Sequence, residues 1–304
     1  MKFSNGYKAL GQCARCGFRY RLNSLRADGR NPGLLVCWSC YDIKPPAERP
    51  QNLEDAETLR RPAPDLDDDS VGGSKYGYCP GSSGNYFSTP DSASVSITGD
   101  IDIRMQVSLD DWTPTSESCV LSKWGASGNR SYRLNIQTTG IPKFYWTANG
   151  TTVLSMAATT AVVAIDGKKK WLRFTLDVNN GASGRTGTFY VSENGWVWQT
   201  LGSAVTDAGT TSLYDSTATL TLSGITSGTD EHLAGKVFYA DLRSSIGGDP
   251  VAKFDPSEDA AISDTSFTAD TGEVWTVNTS GSTVAAIKGE SLVDLLGTQF
   301  GVTV

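Results

Sequence analysis

The chain has 304 residues, 38% hydrophobic and 19% charged, with a formal net charge of −7. That length allows one large or two modest domains with a packed core. No apolar run approaches the ~18 residues of a membrane-spanning helix, and the acidic balance of the main body argues against nucleic acid as its partner.

The charge is unevenly placed. Residues 1–50 hold nine Lys and Arg against three Asp and Glu, residues 51–80 three against seven, and residues 81–304 fourteen against twenty-three. The opening Met1-Lys2-Phe3-Ser4-Asn5-Gly6 has no apolar stretch of the kind a signal peptide carries. Synthesis in a reducing cytoplasm is therefore expected, with the six cysteines serving as metal ligands or free thiols rather than disulfides.

The first element, residues 1–44, carries two C-x-x-C knuckles, Cys13-Ala14-Arg15-Cys16 and Cys37-Trp38-Ser39-Cys40, with 20 residues between them. Two such hooks can place four thiolates tetrahedrally around Zn²⁺, and Gly17 stands where the first must turn tightly. Four protein ligands leave no open coordination position, so the expected zinc ribbon is structural, and so short a segment draws much of its folding free energy from the metal. The competing readings are two disulfides or four reduced thiols that bind nothing. Arg15, Arg19, Arg21, Arg26 and Arg30 surround the knuckles. They could contact nucleic acid, which is disfavoured, or offset thiolate charge, or dock an acidic surface.

Residues 45–75 read as a linker, with Pro45, Pro46, Pro50, Pro62 and Pro64, the run Asp65-Leu66-Asp67-Asp68-Asp69 and then Gly72-Gly73-Ser74. A short helix over Leu53–Arg60 is compatible with the pattern. The acidic run lacks the Gly and distal Glu of an EF-hand loop and reads as a solvated charge run.

From residue 76 to 304 the pattern is that of strands. Ile101, Ile103, Met105, Val107 and Leu109 alternate with polar residues, as do Tyr132, Leu134 and Ile136, and Leu172, Phe174, Leu176 and Val178. Further strands are expected near 118–124, 142–147, 186–193, 195–201, 217–223 and 235–242. Asn194-Gly195 between two apolar runs predicts a hairpin turn. About a dozen strands without intervening amphipathic helices predict an antiparallel β-sandwich. Ser291–Leu296 reads as one helical turn.

Tyr86-Phe87-Ser88-Thr89-Pro90 and Gly99-Asp100-Ile101-Asp102-Ile103 resemble the opening of phage-encoded laminin-G/concanavalin-A-like jelly rolls. Leu233–Arg243, then Asp249–Asp255, then Gly272–Val277 resemble the later motifs of the same domains in the same order. The resemblance covers roughly residues 80–285, and the cysteine head resembles zinc-ribbon heads of phage virion proteins. It implies a concanavalin-A-like jelly roll in a bacteriophage structural protein: a capsid decoration, head fibre, or neck or tail component. Its implied partners are other virion proteins, in multiple copies per particle, with synthesis in the host cytoplasm.

Carbohydrate sites use aromatic faces, so Trp146, Trp171, Trp196 and Trp198 are the candidate ligand-binding residues. Trp196 and Trp198, two apart on an expected strand, would form a platform if they face outward and core if they face inward. Trp171 should face outward, because Leu172, Phe174, Leu176 and Val178 claim the core side of its strand. Asp100, Asp102 and Asp241 are weak candidates for Ca²⁺. No E-x-D-x-x-E string of a retaining glycosidase occurs, and the lone His232 reads as a solvated loop residue, so the expectation is a non-catalytic protein. The alternatives are a soluble carbohydrate-binding protein or a glycan-degrading enzyme of the same fold. Cys79 and Cys119 are expected as buried thiols, and a bridge between them has no support.

Overall fold

In the computed structural model the described residues are 9–43 and 73–290. They fall in two compact units, divided between Asp65 and Leu66. The expected linker up to residue 72 and the helical turns at 53–60 and 291–296 lie outside the described residues, as do the aspartates of the acidic run.

The first unit holds two short antiparallel pairs. Strand β1 (Leu10–Gln12) pairs with β2 (Arg19–Arg21), and β3 (Arg26–Ala27) with β4 (Leu35–Val36). A 3-10 turn over Trp38–Cys40 closes the unit. Its interior amounts to Cys13, Val36 and Cys37, with Tyr20, Leu25, Cys40 and Tyr41 packed around them. So small an apolar core cannot by itself offset the chain entropy of 35 residues. A buried carboxylate adds a polar staple: Asp28 accepts from the Asn31 and Asp42 backbone N–H groups (3.1 and 2.9 Å) and from Arg15 Nη2 (2.9 Å).

The second unit is an antiparallel β-sandwich. Its strands are β5 (Gly73–Pro80), β6 (Tyr86–Thr89), β7 (Ile101–Leu109), β8 (Ser118–Trp124), β9 (Arg130–Ile136), β10 (Pro142–Thr147), β11 (Val153–Ala157) and β12 (Lys170–Asp177). They continue with β13 (Gly184–Ser192), β14 (Gln199–Thr200), β15 (Val205–Ala208), β16 (Leu220–Leu222), β17 (Ala234–Arg243), β18 (Ala252–Phe254), β19 (Ser266–Thr268), β20 (Val274–Asn278) and β21 (Ala286–Glu290). One eight-stranded sheet runs β11-β10-β9-β8-β16-β6-β20-β19; a nine-stranded sheet runs β14-β13-β12-β7-β17-β5-β21, with β15 on β13 and β18 on β17. The only α-helix among the described residues is the single turn α1 (Pro256–Asp259). No described helix is long and apolar enough to cross a membrane.

The alternating residues meet between the sheets as expected. Ile101, Ile103, Met105, Val107, Phe174 and Leu176 are buried against Leu134, Ile136, Phe144 and Trp146. Strand β5 starts at Gly73, inside the stretch read as linker. Residues 73–80 are drawn into the sheet between β17 and β21, with Lys236 opposite Tyr78 and Ala286 opposite Tyr78 on the other side.

Among the described residues the core has one buried cation. Lys123, fully buried, reaches Asp91 Oδ1 at 2.6 Å, the Ala218 carbonyl at 3.0 Å and the Ser216 carbonyl.

A bulge in β17 decides what the nine-stranded sheet shows to solvent. Val237 pairs with Val107, but Tyr239 pairs with Gln106, so Phe238 is the extra residue. Strict alternation would put Val237 and Tyr239 on one face. The bulge keeps Val237, Ala240 and Leu242 in the core and turns Tyr239, Asp241 and Arg243 outward.

Candidate functional site

The four cysteines of the first unit come together. The sulfurs of Cys13, Cys16, Cys37 and Cys40 all lie within 4.8 Å of one another, and Cys16 Sγ is 3.9 Å from Cys37 Sγ. Zn–S bonds near 2.3 Å place the sulfurs of a tetrahedral centre about 3.8 Å apart, within about 1 Å of the spacing found here. Among the described residues it is the only grouping of three or more Cys, His, Asp or Glu ligand atoms that could hold a metal.

The local backbone builds the site. Gly17, at φ +73°, lets the first knuckle turn back, with its N–H on the Cys13 carbonyl at 3.0 Å. The Cys37 N–H donates to Cys13 Sγ at 3.2 Å. The Cys16 backbone N–H, with help from those of Cys37 and Arg15, holds the Cys13 thiol down at about 6 against its burial. Burial pushes Cys37 up, but donation from Tyr20 and Cys40 outweighs it and the net shift is downward. Cys40, whose thiol bonds to Cys37, is pushed up to about 12. Hydrogen bonding to the sulfurs thus lowers two of the four thiols toward the thiolate form that a metal requires.

Two of the five arginines around the cluster are committed within the unit. Arg15 pairs with Asp28 and with Asp42 at 2.6 Å, and Arg26 stacks on Trp38 at 3.8 Å and Tyr41 at 5.0 Å. These two do not contribute to an open basic stripe of the kind a phosphate backbone would need.

On the sandwich, the candidate tryptophans separate. Trp146 is a core residue: it is fully buried, stacks on Phe144 at 5.9 Å and donates its indole N–H to Thr211 Oγ1 at 3.0 Å. The expectation that it meets a ligand is corrected, because β10 turns its Phe144–Trp146 face toward the opposite sheet.

Trp171 faces outward as expected. It stands in one row with Gln106 and Tyr239, and its ring lies 5.4 Å from that of Tyr239 and 6.3 Å, edge-on, from that of Trp198. The next row is Tyr190, Arg173, Arg104 and Asp241. Arg104 and Arg173 lie 6.0 and 5.9 Å from the Trp198 ring, and Arg173 lies 5.0 Å from Tyr190.

Trp196 and Trp198 do not share a strand face. Only Gln199–Thr200 of the expected 195–201 strand forms, and residues 193–198 are an irregular loop rather than a two-residue turn. Two side chains fold the loop: Ser192 Oγ accepts from the Gly195 N–H at 3.0 Å, and Asn194 Oδ1 accepts from those of Trp196 and Val197 at 2.9 and 3.0 Å. Gly195, at φ +76°, lies so close to Trp171 that a Cβ there would come within 2.8 Å of the indole. The loop thus lays Trp198 on the sheet and lifts Trp196, 88% exposed, into solvent. A cleft of about 340 Å³ borders it, lined by Val191, Ser192, Glu193, Asn194, Val197 and Gln199.

The calcium expectation is corrected. Asp102 is fully buried beneath Arg173 (2.8 and 2.7 Å) and Arg104 (3.0 Å) and also accepts from the Gly247 N–H at 3.0 Å. Asp241 is held by Arg243 and the Tyr239 hydroxyl, and Asp100 accepts from the Val178 N–H. Guanidinium groups occupy the positions that a cation would take at Asp102 and Asp241. His232 is also not simply solvated: its Nδ1 is buried with no hydrogen-bond partner. Burial pushes the Cys79 and Cys119 thiols up to about 12, and both are free.

Sequence reading missed Tyr239, Tyr190 and Arg104. The period of β7 and β12 places Arg104 and Arg173 outward, but Tyr239 depends on a bulge that alternation does not reveal. It also missed that Glu117 and Glu231, more than a hundred residues apart, meet on the eight-stranded sheet.

The fold is a two-sheet antiparallel β-sandwich accompanied by a four-cysteine cluster unit. No protein-family model matches the chain, and no curated protein sequence does. Solved structures similar to it include the CBM40 of the Ruminococcus gnavus IT-sialidase bound to α2,3-sialyllactose (TM-score 0.43, 9% identity, 57% of this chain and 94% of that one). A heptameric SAP-like pentraxin from Limulus polyphemus is similar at TM-score 0.41 and 9% identity, over 67% of this chain and 95% of that one. Domains LG4-5 of the mouse laminin α1 chain are similar at TM-score 0.39 and 15% identity, over 56% and 41%.

Proposed function

We propose that the sandwich is a non-catalytic carbohydrate-binding domain and that the cysteine unit is a zinc-held anchoring head. The observation that carries the reading is the aromatic surface of the nine-stranded sheet. There Trp171 meets Trp198 edge to face and Tyr239 at a tilt, with Arg104 and Arg173 of the next row against the Trp198 ring, beside an exposed Trp196. Sugar rings stack on aromatic faces through C–H groups while arginine and amide edges bind their hydroxyls. Removing an exposed tryptophan from water by stacking is favourable, and rigid aromatics give contact area at low entropic cost. In this reading the protein belongs to a bacteriophage particle, as a capsid decoration, head fibre, or neck or tail component, and it docks through the cysteine unit on another virion protein. That part rests on the order of the jelly-roll motifs along the chain.

The test of the sugar reading is a glycan-array screen of the whole chain against Trp196→Ala and Trp198→Ala. Binding that both variants abolish without loss of thermal stability is the expected result; an array silent for the parent chain refutes it. The particle assignment is tested by cryo-EM of the assembled virion, in which absence of density for this chain refutes it.

A second reading, a glycan-cleaving enzyme, is favoured by the meeting of Glu117 and Glu231 around one amide. A reducing-end assay on array-positive glycans decides it: release of sugar, lost in Glu117→Gln, would replace the binding-only conclusion.

A further inference from the structure

The outer face of the eight-stranded sheet carries a polar cluster assembled from four places in the chain. Glu117 precedes β8, Arg133 and Asn135 lie on β9, Tyr145 lies on β10, and Glu231 ends the loop before β17. Asn135, fully buried, is the floor. Its Nδ2 donates to Glu231 Oε2 at 2.6 Å and to Glu117 Oε2 at 3.2 Å. Glu117 further accepts from the Tyr145 hydroxyl at 2.9 Å and from Gln137 Nε2 at 3.3 Å, and Glu231 pairs with Arg133. Glu117, Glu231 and Arg133, all partly exposed, form the rim.

The cluster is incomplete. Asn135 Oδ1 and Arg133 Nε are both buried, and neither has a hydrogen-bond partner. The amide cannot be turned to cure this, because its NH₂ is fixed between two carboxylates that only accept. The sheet therefore holds an orphan acceptor and an orphan donor on the same face of one strand, two residues apart. Buried polar atoms of a native protein are almost always satisfied, so an acceptor and a donor both left open on one strand face beneath a partly exposed rim mark a place where a ligand's groups belong.

The chemistry of the rim selects that ligand. Two carboxylates repel a phosphate or carboxylate, while the Arg133 guanidinium, with Lys143 4.6 Å over the Tyr145 ring, repels a cation. A neutral group that both donates and accepts remains. One hydroxyl of a vicinal diol would donate to Asn135 Oδ1 while its neighbour accepts from Arg133 Nε, and either could also donate to the outward lone pairs of Glu117. We propose that this cluster is a second, independent binding site for the vicinal diol of a neutral sugar, on the sheet opposite the tryptophan surface.

The test is titration of the isotope-labelled full chain with methyl α-D-mannopyranoside, methyl β-D-galactopyranoside and cis-1,2-cyclohexanediol, with cyclohexanol as control. The Asn135 side-chain amide and the Trp124 indole are followed by NMR; Trp124 lies 4.9 Å from the Arg133 guanidinium. Saturable shifts with at least one diol and none with cyclohexanol are expected, weakened about tenfold in Asn135→Ala and unchanged in Trp198→Ala. Should Asn135→Ala not fold, Glu117→Gln is expected to weaken binding about fivefold with its thermal midpoint retained. No saturable shift up to about 100 mM diol overturns the proposal, as do shifts that persist in both variants or a crystal soak that leaves only ordered water at Asn135 Oδ1. Loss of sugar binding in Trp198→Ala alone would assign it to the tryptophan surface instead.

Discussion

Trp171 and Tyr239 lie ring to ring at 5.4 Å although the strand of Gln106 runs between theirs, and they do so because Phe238 is one residue too many for its partner strand. Phe238 is itself 97% out of solvent, packed on Tyr76 at 5.2 Å with Lys169 Nζ 4.1 Å over its ring. Deleting Phe238 would let Tyr239 follow Val237 in plain alternation, still opposite Gln106, whereas inserting one residue after Tyr239 would slip the rest of β17 by one position and drive Asp241 and Arg243 toward the core. The insertion is expected to unfold the sandwich, while the deletion keeps it folded and loses only the packing of Phe238. Phe238→Ala keeps the register and should cost only about 3 kcal/mol in urea titrations. An insertion variant as stable as Phe238→Ala would disprove this role of the bulge.

Asp102 makes the sandwich acid-sensitive. Burial raises its pKa, but Arg173, Arg104 and the Gly247 N–H outweigh burial and hold the carboxyl below the usual carboxylate range. A group depressed in the folded state contributes stability above its unfolded pKa of about 4, and that contribution is lost as pH falls through the folded value. Urea midpoints of the parent chain should therefore fall steeply below about pH 4. Asp102→Asn should be less stable by about 3 kcal/mol at pH 7 and flatter in the acid range. A parallel pH profile for the variant would show that other carboxyls dominate.

Chelation should unfold the first unit alone. Cys37→Ser or excess chelator removes a ligand or the metal, and the small interior around Val36 cannot hold by itself. Metal analysis should give about one zinc per reduced parent chain, and Co²⁺ replacement should give the visible bands of a tetrahedral thiolate centre. The thermal transition of the sandwich should not move. A metal content near zero in reduced protein would refute the centre.

Lys123 predicts an asymmetry between two substitutions. Its ammonium satisfies Asp91 and two carbonyls in a fully buried position. Lys123→Ala leaves a cavity and stranded acceptors and should cost about 4 kcal/mol; Lys123→Met fills the volume, lets the one-third exposed Asp91 take water, and should cost roughly half. Equal losses by thermal melts would show that charge pairing, not packing, sets the cost.

Most of the sandwich was legible because its strands obey the period of two. Ile101–Leu109, Ser118–Trp124 and Pro142–Thr147 form where the pattern puts them. The short strands Val153–Ala157, Val205–Ala208 and Ala252–Phe254 were not, since they pair at edges or carry too few apolar residues to show alternation. The cysteine cluster could be read from spacing alone, because a metal fixes ligands at short range. The aromatic surface was half legible: Trp171 follows from its neighbours, but the loop that separates Trp196 from Trp198 is set by side-chain hydrogen bonds of Ser192 and Asn194. Glu117, Asn135 and Glu231 meet only through sheet order, which no local pattern encodes.

The placement of β5 between β17 and β21 has a consequence for biosynthesis. During translation, residues 73–80 emerge more than 150 residues ahead of their partners at 234–237 and 286–290. The nine-stranded sheet therefore cannot close until nearly all of the sandwich has left the ribosome, and its unpaired strands need protection in the interval. The cysteine unit, complete by residue 43, can take its metal and fold while the rest is still being made.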